Sequence, residues 1–300
     1  MTETALATHI VQVSSKSVAA RRRRQFGRGA LYAIATIFAV GFMLPFAWAV
    51  FSSFKSPGDL TSYPPKLFPK VWHPENDRTV FQRVPFGRWG ENTVLIAVLA
   101  TVGAVFSSSL VAFSFARFRY PGRDLIFLIT LSTMMLPGEV TLIPLYILFA
   151  KIGWLDSYRP LIVPSFFGGG AFLIFMMRQF FMTIPLDLDE AARIDGASFL
   201  RIYLQIVMPL SVPALATASV LTFIGNWSDF MGPFIILNSR EKFTLAVGIR
   251  YFQSLADPDG VPTQHLLMAS SLMMTLPIIV LFFLAQRFFV RGIVMTGIKG

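Results

Sequence analysis

"NTVLIAVLATVGAVFSSSLVAFSFA", residues 92–116, is a run of 25 residues without one charged side chain. A helix rises about 1.5 Å per residue, so about 20 apolar residues cross the roughly 30 Å hydrocarbon core of a bilayer. This run is long enough to do so. Five more runs reach or approach that length: 30–52, 125–150 (interrupted only by Glu139), 160–177, 202–228 and 266–286. The remaining composition agrees. Of 300 residues, 54% are hydrophobic and only 14% charged, with a mean hydropathy of +0.62. A soluble domain of this length needs a far more charged surface. The reading is an all-α polytopic membrane protein with six transmembrane helices, and no internal repeat is visible. Pro45, Pro137 and Pro164 fall inside the runs, where neighbouring groups can satisfy the carbonyls that proline frees.

The chain has no cysteine, which excludes disulfides and thiolate metal sites. Its formal charge of +10 does not point to nucleic acid, because the basic residues sit in segments flanking lipid-length runs. With six spans and the Arg21–Arg24 run inside, both termini are cytoplasmic. The inner segments then hold 15 of the 26 lysines and arginines, a modest positive-inside excess. "RRRRQF" before an apolar run, with "AWA" at 47–49, imitates a cleavable export signal. The run is span-length and five others follow, so it reads as a positive flank of the first span. Residues 1–28 are expected to form a cytoplasmic N-terminal tail, mobile over 1–20 where no apolar period occurs, and 29–300 a single transmembrane domain.

The connecting segments follow. Residues 53–91 carry six prolines with Trp72 and Trp89, which predicts an irregular outer loop resting on the membrane interface. "ARFRYPGR" (116–123) is a short inner turn and "KIGWLDSYRP" (151–160) a short outer one. Residues 238–263 form an outer loop turning at "DPDG", 257–260.

One segment sits badly among the spans: "DEAARIDGASFLRIYLQIVMP", residues 189–209, on the inner side. Pro185 suits a first helical turn, and Asp187, Asp189 and Glu190 lie where the helix dipole favours negative charge. Gly196 can adopt the left-handed conformation that ends a helix, and Ser198 can cap a second one. There Phe199, Ile202, Tyr203 and Ile206 share one apolar face. Pro209 and Pro213 mark the passage to the next span. This short helix, bend and amphipathic helix, about residues 183–212, has three readings. It can lie on lipid headgroups, dock a soluble partner, or hold Mg²⁺ through "DLDE" as in a membrane transferase. The third is weakened because positions 187 and 189 diverge by about 200° around a helix. His9, His73 and His265 are scattered without ligand spacing.

The segment resembles the signature loop of ABC importer permeases: Glu-Ala-Ala, three residues, Gly, nine residues, Ile, one residue, Leu-Pro. Glu190, Ala191, Ala192, Gly196, Ile206 and Pro209 stand at that spacing, with Met208 in place of leucine. "FLIFMMRQFFMTIPLDLDEAARIDGAS" (172–198), "NWSDFMGPFI" (226–235) and "QRFFVRGIVMTGIKG" (286–300) are similar to the carbohydrate branch, the maltose-transporter type. The resemblance implies a second related permease, two cytoplasmic ATPases that use ATP and Mg²⁺, and an extracytoplasmic solute-binding protein. It makes 189–209 a coupling loop. Ala191 and Ala192 are then expected at the close contact, Gly196 at the bend, and Glu190 orienting the loop. No Walker A pattern, G-x-x-x-x-G-K-[ST], occurs, and no cofactor is expected on this chain. Candidate substrate-path residues are Glu139, an acid about 20 Å along a straight third span, and Asn226, Trp227 and Asp229, which close the fifth. Trp227 could equally anchor the interface. The tripeptide Gly168–Gly170 could permit close packing or a bend. The competing function is a self-sufficient ion-coupled secondary transporter, which usually shows internal repeats or broken paired helices.

Overall fold

The computed structural model describes residues 3–254 and 263–296, with side chains over 28–252 and 263–286. Every regular element among the described residues is helical. In chain order, α1 (Glu3–Ser53) is the first span and α2 (Pro57–Leu60) and α3 (Glu75–Arg83) occupy the loop after it. The second span is α4 (Phe86–Arg117), and α5 (Arg123–Ser132) with α6 (Gly138–Lys151) forms the third. A short α7 (Arg159–Ile162), a 3₁₀ stretch (Val163–Phe166) and α8 (Ala171–Phe181) make the fourth. The knuckle comprises α9 (Asp187–Ile194), α10 (Phe199–Ile202), a π stretch (Tyr203–Val207) and α11 (Met208–Leu210). After it come α12 (Val212–Ser228), α13 (Met231–Ile236), α14 (Leu245–Ser254) and the last span, α15 (Gln264–Thr296).

Four of these segments are long and apolar enough to cross a membrane: 28–53, 86–117, 159–181 and 264–286. The other two expected spans are bent pairs. Residues 123–151 turn by 96° around Pro137, and 199–228 turn by 78° around Ser211. Counted as one span each, they complete six. The bends have local causes. A residue before proline is pushed out of the helical region, and Leu136 indeed has ψ 119°. At the second bend the departure falls on Ser211 itself, at φ −96° and ψ 8°, with Pro209 and Pro213 two residues to either side. Proline alone does not bend a span, since Pro45 and Pro277 sit inside unbroken helices.

α4 is the central helix, packed on α8, α12 and α14. Its buried face runs Thr93, Ala97, Ala100, Ala104, Ser108 and Ala112, small residues at helical spacing. Without large side chains between them, backbones approach closely, which is how helices associate in lipid. Two cores result. One surrounds Phe113, Met177, Phe181, Ile202 and Tyr203 at the knuckle end. The other surrounds Trp89, Trp227, Phe252 and Leu266 at the far end. α1 packs against α15 and otherwise presents exposed apolar residues, among them Phe42 at 81% exposure. That is the surface lipid or another subunit would cover.

The structure refines the expectations for the connecting segments. The helix of the first span runs back through the expected tail to Glu3. The 53–91 loop carries α2 and α3, while its middle, 61–74, is irregular as expected but tied down by specific bonds. Lys55 is buried and donates from Nζ to Lys66 O at 2.6 Å, and Asn76 Nδ2 donates to Ser53 O and Lys55 O. Trp89 is not an interface anchor. It is fully buried, donates to Arg240 O at 2.8 Å, and lies so close to Gly248 that a Cβ there would meet its ring at 2.1 Å. The turn at 257–260 lies outside the described residues, and 245–254 of that loop is helical.

Candidate functional site

The knuckle is built from its sequence residue by residue. Asp187, Asp189 and Glu190 occupy the first turn of α9, where their charge meets the unsatisfied N–H groups of the helix end. The helix stops because Gly196 takes φ +78°, and the Ala197 amide donates back to Ala192 O at 2.9 Å, a Schellman-type closure. Ser198 Oγ accepts from the Arg201 amide and caps α10. Arg193 spans the bend, its guanidinium 4.5 Å from the centre of the Phe199 ring. In the second helix Ile202, Tyr203 and Val207 are buried and Ile206 packs against the same core, while Phe199 is 44% exposed. Pro209 lies in α11, directly before the bend at Ser211.

The six signature residues do not share one face. Glu190, Ala191 and Gly196 are exposed, whereas Ala192 is half-buried against the core. Neighbours on a helix point about 100° apart, and here that turn carries Ala192 from the exposed side of Ala191 toward the core. The acid that ties the knuckle to the bundle is Asp189, not Glu190. Its Oδ2 lies 3.0 Å from Arg117 Nε at the end of α4, and both side chains are largely buried. Arg117 also donates from Nη2 to Ile184 O at 3.1 Å. Burial pushes the Asp189 carboxyl above its ordinary pKa, and Arg117 and then Arg193 pull against that rise. Ile194, 88% exposed, tips the end of α9.

Two cradles hold this end to the bundle. Ser109 Oγ and the Tyr203 hydroxyl are 2.6 Å apart. Above them Gly168, Gly169 and Gly170 all have positive φ, so the tripeptide bends the chain. It also permits close packing, since a Cβ on Gly169 would stand 2.2 Å from Ala104 O and from Ser108 Oγ. Ser107 and Ser108 donate to Ser165 O and Gly168 O, satisfying carbonyls that the break releases. The run "SSS" at 107–109 was the sequence signal for this, a polar triplet inside an otherwise apolar span.

The candidate substrate-path residues separate. Asn226 and Asp229 line a cavity of about 250 Å³ with Thr141, Tyr146 and Gly232, walled by Leu142, Pro160 and Ile236. Asp229 Oδ1 accepts from the Gly232 amide at 3.2 Å, which fixes the carboxylate at the cavity edge. Trp227 points the other way. It is buried in the far core and donates to Met274 O at 3.0 Å, so it is neither exposed to the cavity nor an interface anchor. Glu139 does not line the cavity. The 96° bend before it removes the straight helix on which its depth was reckoned, and it opens the first turn of α6 as an exposed acid.

At the far end Asp156, in the left-handed region at φ 53°, gathers the loop after α13. It accepts from the Asn238 and Ser239 amides, the Ser239 hydroxyl and Lys242 Nζ at 2.8 Å. Burial alone would raise its pKa, but the bonds from Lys242, Ser239 and Asn238 outweigh it and hold the carboxyl well below the usual carboxylate range. Among the described residues no cluster of three or more His, Asp or Glu could hold a metal ion.

Comparison with known proteins adds the following. The family model described as "binding-protein-dependent transport system inner membrane component" matches residues 104–295. The probable ABC transporter permease protein YurM of Bacillus subtilis (strain 168) is 31% identical over 281 residues, 93% of this chain and 91% of that one. The sn-glycerol-3-phosphate transport system permease protein UgpE of Yersinia pestis bv. Antiqua (strain Antiqua) is 39% identical over 227 residues, 75% of this chain and 77% of that one. A crystal structure of a bacterial ABC transporter involved in the import of the acidic polysaccharide alginate contains a chain that superposes with a TM-score of 0.77. It is 25% identical and covers 89% of this chain and 97% of its own.

Proposed function

The chain belongs to the family of binding-protein-dependent transport system inner membrane components, the permeases of ABC importers, and from that premise we propose its part in the transport cycle. It forms half of a translocation pathway with a second related permease, passing a carbohydrate or related polar solute delivered by an extracytoplasmic binding protein. Two ATPase subunits, using ATP and Mg²⁺, sit beneath the knuckle, which faces the cytoplasm. The chain adds no nucleotide chemistry of its own.

One observation carries this reading. The knuckle presents Ile194, Ala191 and Gly196 outward at a sharp bend, on a loop whose other face is packed into the spans. It is shaped to be pushed. Force on α9 and α10 passes into α8 on one side and, across the bend at Ser211, into α12 on the other, which suits rocking between inward- and outward-open states. The substrate class is supported by the Asn226–Asp229 cavity, whose amide, carboxylate and hydroxyl groups suit a polyhydroxylated solute. It is also supported by relatives whose names concern glycerol phosphate and a polysaccharide.

The test is extraction of the tagged chain from its native membrane in mild detergent, with co-purifying proteins identified by mass spectrometry. Recovery of a second permease and an ATPase is expected. Recovery of the chain alone, intact and competent for ion-driven uptake in liposomes, would overturn the reading in favour of a secondary transporter.

A further inference from the structure

We infer that the buried Arg117–Asp189 pair is the clasp through which the knuckle drives α4, so that coupling runs through the second span and not only through the spans on either side of the loop. The inference rests on the knuckle being the point where the ATPases act.

α9 is joined through the chain to α8 on one side and to α12 on the other. Neither covalent link leads to α4, yet α4 is the central helix, packed on α8, α12 and α14. Besides the packing of α4 on α8 and α12 and of Phe113 on Tyr203, further side-chain contacts connect its end to the knuckle directly. Arg117 Nε stands 3.0 Å from Asp189 Oδ2 on the first knuckle helix. The Phe118 ring meets the Phe199 ring edge-on at 4.7 Å, and Ser109 bonds Tyr203 on the second. The last two are contacts within a continuous core. The first is different, being a charge contact between two otherwise separate elements at the very end of a rigid helix.

Its geometry suits transmission. Arg117 is anchored to the chain before α9 by its bond to Ile184 O, so the guanidinium follows the loop as a unit. Arg117 Nε and Asp189 Oδ1 make no hydrogen bond with any described residue, so the pair is held by charge at close range rather than by a saturated network. Toward the other end of its 32 residues, about 40 Å away, α4 is fastened as well. Trp89 donates to Arg240 O, Asn92 Nδ2 donates to Glu241 O and Phe243 O, and Thr93 Oγ1 accepts from the Leu245 amide. A displacement of the knuckle that moves α4 therefore reaches the loop at 240–245 without crossing a flexible joint. Contiguity alone does not demonstrate coupling. A mutant cycle does.

The complete transporter is reconstituted in proteoliposomes with its binding protein, and uptake and ATP hydrolysis are measured in the same vesicles. Arg117→Gln, Asp189→Asn, the double variant and Arg117→Lys are compared. The two single variants should each retain the ATPase subunits and hydrolysis while uptake per ATP falls about tenfold, within the usual range of coupling between distant sites. The double variant should be no worse than either single one, because the pair acts as a unit. Arg117→Lys, which keeps the charge, should retain at least half of the uptake. The inference fails if uptake per ATP is unchanged in both single variants, or if their losses multiply in the double variant. It also fails if uptake and hydrolysis fall together with recovery of the complex, as a purely structural role demands. Failure of the underlying reading looks different: the wild-type complex would then lack ATPases, or a bulky residue at 196 would leave docking intact, whatever Arg117 does.

Discussion

Gly196 separates a docking surface from a mere helix stop, because this structure makes the two roles predict different orders of variants. Its φ of +78° is a conformation that costs an ordinary L-residue about 1–2 kcal/mol, and asparagine less. A Cβ placed there meets no atom within 4 Å, so nothing in this chain opposes bulk. Stability of the chain should then fall in the order Gly, Asn, Ala, Val, with Ala about 1 kcal/mol or more below Gly. Contact with a partner surface is governed by size instead, and ATPase recovery should fall in the order Gly, Ala, Asn, Val. Alanine and asparagine exchange places between the two scales. A penalty of 1.4 kcal/mol is a factor of ten in an equilibrium, so both orders are within reach of measurement. Stability is read from the melting of the tagged chain in detergent, and docking from ATPase co-purified per permease. If recovery followed the stability order, with asparagine above alanine, Gly196 would be a helix stop and the docking argument would be wrong.

Other consequences are as specific. Gly169→Ala places a Cβ 2.2 Å from a backbone carbonyl and adds left-handed strain, so it should cost about 2–5 kcal/mol and lower the melting point sharply. Gly138→Ala, helical and with open space around it, should leave the melting point level or higher. The lowered pKa of Asp156 contributes stability that is complete above the unfolded value near 4 and is lost only as pH falls below it. Hydrogen-exchange protection of 238–242, corrected for intrinsic rate, should therefore be level between pH 7 and 5 and decline only in stronger acid, whereas Asp156→Asn should lower it throughout. Asp229→Asn keeps the acceptor for the Gly232 amide but removes the charge facing the cavity. At saturating loaded binding protein it should slow uptake about tenfold, as loss of a charge-assisted hydrogen bond does; an unchanged rate would take Asp229 out of the pathway.

The spans were legible because charge is expensive in lipid, so their boundaries appear in a single sequence as the ends of uncharged runs. The knuckle was legible because glycine, serine and the first-turn acids each act through their own backbone. What was hidden needed a partner distant in sequence. Asp189 and Glu190 are adjacent carboxylates, and only the arrival of Arg117 decides which is buried. Trp89 and Trp227 look like interface anchors until Arg240 O and Met274 O accept their N–H groups. Asp156 reads as a turn residue until the loop at 238–242 folds over it.

The bends show why such information escapes a linear reading and yet matters for transport. Pro45, Pro144 and Pro277 stay within helices, while Pro137 marks a 96° turn, and the difference lies in what surrounds each. Pro137 is followed by glycine and preceded by a residue in extended conformation, after a 3₁₀ turn that has already tightened the chain. At Ser211 prolines two residues to either side, with a π stretch before them, do the same. Both broken spans supply residues to the cavity at Asn226 and Asp229, α6 from one and the end of α12 from the other. α4, which the knuckle grips, has no proline and no break across 32 residues. A pathway that must open needs walls that can change angle, and a drive helix that must not. The chain divides those two demands between its proline-broken spans and the uninterrupted α4.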